Sequence, residues 1–139
     1  MSGPRPYAEL LLRLRGAGLR PTRQRLALAR LLFEKGDRHI TADGLHAEAE
    51  AEGVRVSLAT VYNTLNQFTA AGLLREVAVE AGRAYFDTNT GDHHHFYFED
   101  DGRLLDIPAE GLTVKGVPVA PAGTDIARVD VIVRLRGRK

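Results

Sequence analysis

The chain has 139 residues, 44% of them hydrophobic, enough for one ordinary domain or two small ones. No apolar stretch approaches the roughly 20 residues of a membrane helix, and Arg13 and Arg15 interrupt the apolar run a secretion signal needs, so a cytoplasmic place and no membrane contact are expected. Cysteine is absent, which excludes disulfides and thiolate metal sites and leaves histidine and carboxylate as metal ligands. The net charge of +1 conceals an asymmetry: Lys plus Arg against Asp plus Glu is nine to three over residues 1–40, four to thirteen over 41–110 and six to two over 111–139. A basic N-terminal block implies an anionic partner at that end or a solvated arginine-rich helix face.

Residues 6–15 read as a short amphipathic helix ended by Gly16 and Gly18. Thr22, preceded by Pro21, is a good N-cap for a second helix over 23–35, stopped by Gly36. Thr41 caps a third helix ending at Gly53, whose alternating Ala and Glu over 47–52 favour a helix strongly. Ser57 caps a fourth, reaching about Ala71 and ending at Gly72. Its Leu58, Val61, Leu65 and Phe68 form an apolar stripe, with Thr60, Asn63 and Gln67 opposite and Tyr62 on the flank.

The hydrophobic period then changes. Residues 73–79 and 83–87 read as strands joined through Glu80-Ala81-Gly82. Helices followed by a β-hairpin fit a winged helix-turn-helix, and equally a generic helical bundle with a hairpin. Turn formers at 87–92 read as a hinge between a domain at 1–86 and a second at 93–139. Beyond them come strand-like 96–98, a turn at Asp100-Asp101-Gly102, and strand-like 103–107. After a stretch broken by Pro and Gly, a final strand alternates, with Val129, Val131, Val133 and Leu135 on one face and Arg128, Asp130, Ile132, Arg134 and Arg136 on the other. A three-stranded sheet of this size has little core, so association with a second copy is expected.

His93-His94-His95 is the one dense cluster of ligand-type side chains. On a strand His93 and His95 share a face while His94 turns away. Asp87 can add a carboxylate and His39, in the connection between the second and third helices, another imidazole. Such a mixed set suits divalent first-row metals without selecting one, and a polar surface patch is the plainer alternative. His46, mid-helix, reads as a surface or satisfied histidine.

Three stretches, Leu19–Arg25, Arg38–Ala42 and the long Val56-Ser57-Leu58-Ala59-Thr60-Val61-Tyr62-Asn63-Thr64-Leu65-Asn66-Gln67, resemble the ferric uptake regulator family. Tyr85–Asn89, the histidine run and Ile126–Asp130 are similar to its iron response regulator branch, and the resemblance covers roughly residues 17–136. It implies an α+β protein: an N-terminal winged helix-turn-helix DNA-binding domain plus a small C-terminal α/β dimerisation domain. It further implies a homodimeric repressor of iron and haem metabolism genes on a double-stranded operator. By the same resemblance the fourth helix reads the groove through Tyr62 and Asn63, Arg20 reaches toward the minor groove, Thr60 and Arg23 contact phosphate, and Ser57 belongs to the same DNA-binding set. His39, Asp87, His93 and His95 match the positions that bind a regulatory iron, manganese or zinc between the domains, and His93, His94 and His95 are candidate haem ligands.

The departures also matter. Phe98 and Asp101 stand where many members carry the first Cys-x-x-Cys pair of a structural zinc, so no such zinc is expected. Asp92 and His94 are what remains of a second metal site, and the Cys-Pro haem motif of some iron response regulators is missing. Two histidines and a carboxylate also serve small metalloenzymes, a rival that leaves the helix-turn-helix half unexplained.

Overall fold

The computed structural model describes residues 7–80 and 83–138. Backbone proximity divides the chain into two compact units, Met1–Thr90 and Gly91–Lys139.

In the first unit four helices precede a small sheet: α1 (Ala8–Gly16), α2 (Arg23–Phe33), α3 (Ala42–Ala51) and α4 (Leu58–Ala70), with β1 (His39–Ile40), β2 (Arg75–Glu80) and β3 (Arg83–Asp87). The helices start where side chains satisfy the first free N–H groups. Thr22 accepts from Arg25 N at 3.1 Å, Thr41 from Gly44 N at 3.0 Å and Ser57 from Thr60 N at 3.0 Å. They end where glycine can turn left-handed; Gly53 and Gly72, closing α3 and α4, have φ of 74° and 83°. Leu14, Leu28, Leu32, Leu45, Val61, Leu65, Phe68 and Phe86 fill one shared core, each contributing roughly 1.5–3 kcal/mol of burial.

The expected elements are present with shifted ends. α2 stops at Phe33, short of Lys35, and β2 begins at Arg75 rather than at residue 73. The Ala81-Gly82 turn and Pro6 lie outside the described residues. His39, in the connection between α2 and α3, sits in a two-residue strand that pairs with β3, with His39 opposite Asp87 and Ile40 opposite Phe86, in sheet order β1-β3-β2. Asp87 ends β3, as the strand expected over 83–87 requires, and pairs with Arg75 and with His39. Thr88 continues that fold, donating its N–H to Arg38 O at 3.0 Å while its Oγ1 accepts from Arg38 N at 2.9 Å.

The second unit is a sheet of order β5-β4-β6, from β4 (His93–Phe98), β5 (Leu104–Pro108) and β6 (Ile132–Leu135); β5 is antiparallel to β4 and β6 parallel to it. The histidine run belongs to β4 itself, which begins three residues earlier than the apolar 96–98 segment suggests. Its alternation of buried and part-buried residues places His93, His95 and Tyr97 on one face and His94, Phe96 and Phe98 on the other. The alternating tail forms strand only over Ile132–Leu135; Arg128, Val129 and Asp130 are exposed and outside it. Among the described residues, no helix is long and apolar enough to cross a membrane.

Candidate DNA interface and metal-ligand groups

α4 is two-sided. Val61, Thr64, Leu65 and Phe68 face the core, and Ala59, Tyr62, Asn63, Asn66, Gln67 and Ala70 face solvent. Thr64 therefore joins the apolar stripe, and Leu58, at its N-terminal end, is exposed. The outward face carries no charge, so it repels neither base edges nor phosphate, and its amides can both donate and accept hydrogen bonds. Tyr62 is 42% exposed, which leaves its ring free for apolar contact.

Arg20 and Arg23 are exposed before and at the start of α2. Ser57 and Thr60 are tied into the cap itself, since Ser57 Oγ donates to Thr60 Oγ1 at 2.9 Å, and Thr60 is half-buried. Arg25 was not singled out by sequence, yet it joins the two helices: its guanidinium donates to Gln67 Oε1 and to Arg20 O, both at 2.8 Å. Three arginines within six residues gave no sign of which one turns inward.

The candidate ligands fall into a group in each unit. In the first, His39 Nε2 stands 3.2 Å from Asp87 Oδ2, and Asp87 is 1% exposed. Asn89 N donates to Asp87 Oδ1 at 2.9 Å, which fixes the carboxylate. In the second, the β4–β5 register sets His95 opposite Asp106, and Asp106 Oδ1 lies 3.4 Å from His93 Nε2 and 3.5 Å from His95 Nε2. Asp106 was missed because an alternating Leu-Leu-Asp-Ile-Pro segment reveals its histidine partners only once the register is known.

This second group has the chemistry of a cation site. His93 Nδ1 is 2.6 Å from Gly91 O, and since a carbonyl only accepts, Nδ1 carries the hydrogen. In the neutral ring Nε2 then presents a lone pair toward the Asp106 carboxylate, an arrangement that a cation between them relieves. An imidazole held by a backbone carbonyl through its far nitrogen is the usual support of a metal ligand. His93 and His95 are 5% and 2% exposed, and their rings meet edge to face at 4.6 Å between centroids. A divalent ion held by imidazole nitrogens and carboxylate oxygens fits these donors.

His94 is not part of this group. Its Nδ1 accepts from Val131 N at 3.1 Å and pins the start of the last strand, so the three histidines do not form one continuous surface. His46 is satisfied, with Nε2 at 3.1 Å from Val56 O. Where the cysteine pair is missing, Arg103 closes the turn: its guanidinium lies 4.3 Å over the Phe98 ring, and its N and Nε donate to Asp101 at 3.1 and 2.8 Å. Those bonds, the backbone one first, hold the Asp101 carboxyl below its ordinary range.

A two-unit α+β chain with an exposed uncharged helix and buried histidine–carboxylate groups is the architecture of a ligand-responsive regulator. The model of the ferric uptake regulator family matches residues 16–131, and the chain belongs to that family. It is 42% identical over 82 residues to a ferric uptake regulation protein of Bordetella parapertussis, a match spanning 58% of this chain and 58% of that protein. It is 35% identical over 99 residues to a peroxide-responsive repressor of Staphylococcus aureus, covering 71% of this chain and 66% of the repressor. The ferric uptake regulator of Pseudomonas aeruginosa, solved with manganese, aligns at TM-score 0.68 and 26% identity over 91% of this chain and 96% of its own. These relatives are regulators, and the metalloenzyme reading is set aside with them.

Proposed function

We propose that the chain is an iron- or haem-responsive DNA-binding transcription regulator, mainly a repressor, working as a homodimer on a double-stranded operator. The observation that carries this is the charge-free outward face of α4, set by a core that fixes Val61, Leu65 and Phe68. Tyr62 and Asn63 contact bases from that face, and Arg20 and Arg23 supply salt-dependent attraction to the backbone. Ser57 and Thr60 place the N-terminus of α4, with its partial positive charge, toward a phosphate.

For the ligand, His39 and Asp87 together with His93 and His95 furnish a centre for a divalent iron, manganese or zinc, and Asp106 joins them as a further oxygen donor. The metal supplies a coordination clamp that favours one disposition of the DNA-binding unit, and thereby one spacing of two recognition helices in a dimer. Haem ligated by a histidine of the 93–95 run competes for the same imidazoles and weakens operator binding. The match to a peroxide-responsive repressor supports a second reading, a metal-responsive regulator of the same family with another input.

The test is selection from random duplexes by protein that is metal-free, loaded with manganese or iron, haem-loaded, or metal-loaded and peroxide-treated. Enrichment of one sequence with metal, lost on adding haem, supports the reading. Loss with peroxide alone transfers the signal to the second reading, and no enriched sequence under any condition overturns both.

A further inference from the structure

Arg38, the residue before His39, is held from two directions. Thr88, the residue after Asp87, brackets its backbone: Thr88 N donates to Arg38 O at 3.0 Å, and Arg38 N donates to Thr88 Oγ1 at 2.9 Å. The paired residues His39 and Asp87 are therefore flanked by one closed pair of hydrogen bonds. The Arg38 side chain leaves that bracket toward the helices. Its guanidinium donates to Leu31 O in α2 at 3.1 Å and to both carboxylate oxygens of Glu48 in α3, one of them at 3.0 Å. The Arg38 and Glu48 side chains are only 20% and 29% exposed, so this two-pronged pair is more sheltered and more directional than a surface ion pair.

α3 is gripped again on its other side. His46 and Glu48 are two positions apart, about 200° around the helix, and His46 Nε2 stands 3.1 Å from Val56 O. A carbonyl only accepts, so Nε2 carries the hydrogen. Glu50 Oε1 lies 3.5 Å from the same nitrogen, on the exposed surface. Val56 precedes Ser57, whose Oγ caps α4 by accepting from Thr60 N at 3.0 Å. Between the two grips, Leu45 and Ala49 seat α3 in the core it shares with Val61 and Leu65 of α4. A continuous line of bonded groups thus runs from the strand that carries His39, through one helix, to the cap of the helix whose outward face is free of charge.

We infer that Arg38 is a positioning residue, and that Arg38–Glu48 and His46–Val56 are two joints in series through which a metal at His39 and Asp87 sets the orientation of α4. A ligand that draws His39 and Asp87 together moves Arg38 with them, because the Thr88 bracket ties its backbone to both segments. The guanidinium fork passes that displacement to α3, and α3, moving as a rigid rod, passes it to Val56 and the cap. Lysine at position 38 would keep the charge without the planar fork, and cannot hold Leu31 O and both Glu48 oxygens at once. The inference rests on the proposed reading, in which metal and duplex binding are linked, and names the residues that carry the linkage.

The test measures manganese affinity by calorimetry with and without the selected duplex, for wild type, Glu48→Gln, His46→Leu and the double variant, each also melted without metal. Neither residue stands among the metal ligands or the duplex contacts, so manganese affinity without duplex and duplex affinity without metal should stay near wild type. Each single variant should lower the factor by which duplex tightens manganese about fivefold. The double variant should lower it no further, since a line broken once is already open. Contacts that only stabilise the fold would lower the melting temperatures and leave that factor unchanged, a result that overturns the inference. So does a double variant whose loss is the product of the two single losses. Where Glu48→Gln does not fold, Arg38→Lys opens the same joint with the charge kept and is read in the same way. Wild-type protein that binds manganese and duplex without linkage overturns the proposed reading and the relay with it; linkage that persists in every variant overturns the relay alone.

Discussion

The two units reach stability by different routes. Residues 7–90 bury a contiguous set of leucines, valines and phenylalanines from four helices and the sheet. In the second unit, the described part of 91–139 buries Tyr97 with His93 and His95 on one face of its sheet and Ile107 on the other. A unit that carries its own apolar core can hold a rigid reading helix. A unit whose interior consists largely of imidazoles depends on what those imidazoles bind and on what covers its other face. A ligand bound to those imidazoles would supply a large fraction of the local stability.

The sharpest way to break this contrast is a core cavity in the first unit. Phe68→Ala is expected to cost about 3–5 kcal/mol, since its side chain is fully buried beside Phe33. Thermal melts should show loss of folding in residues 7–90 regardless of metal. Next, His95→Ala or Asp106→Asn should weaken manganese binding by roughly 10- to 100-fold in calorimetry while leaving the metal-free melt of the first unit unchanged. An unaltered manganese isotherm would separate the buried histidines from metal.

A smaller effect concerns the support of His39. Glu48 receives the guanidinium of Arg38, the residue before His39, and the ammonium of Lys35 at 3.2 Å. The hydrogen bonds from Arg38 hold its carboxyl below the ordinary value of 4.5. A lowered acid contributes stability that is present above its unfolded value and lost as pH falls through the folded one. Glu48→Gln should thus cost about 1–2 kcal/mol near neutral pH, with wild type and variant converging in acid; equal melting at neutral pH would remove the clamp. The smallest shift expected is from Ser57→Ala, about 1 kcal/mol through loss of the α4 cap, accompanied by weaker duplex binding with little change in sequence preference.

Much of the first unit was legible because its signals are local. Thr22, Thr41 and Ser57 each stand at the start of a helix, and Gly53 and Gly72 just past an end. The two-residue β1 was not legible, because no periodicity exists in so short a segment; only pairing with β3 makes His39 a strand residue. Asp87 was legible as the end of the 83–87 strand, but its pairing with His39 was not. Among the ligand candidates, the i, i+2 geometry of His93 and His95 follows from strand alternation alone. Asp106 and Arg25 act across chain separations that no pattern in a single sequence reports. The final alternating segment misled in length: alternation through residues 128–135 announces a strand, but strand forms only over Ile132–Leu135, and Arg128, Val129 and Asp130 remain exposed outside it.

In the proposed reading, metal at the histidine–carboxylate groups and DNA at α4 are coupled. Reciprocity of linked binding tests it most directly: manganese affinity is measured with and without the selected duplex, and duplex affinity with and without manganese. Each ligand is expected to tighten the other by the same factor, and His95→Ala to bring both factors to one. Manganese isotherms that are identical with and without duplex, on a protein that binds both, would contradict it.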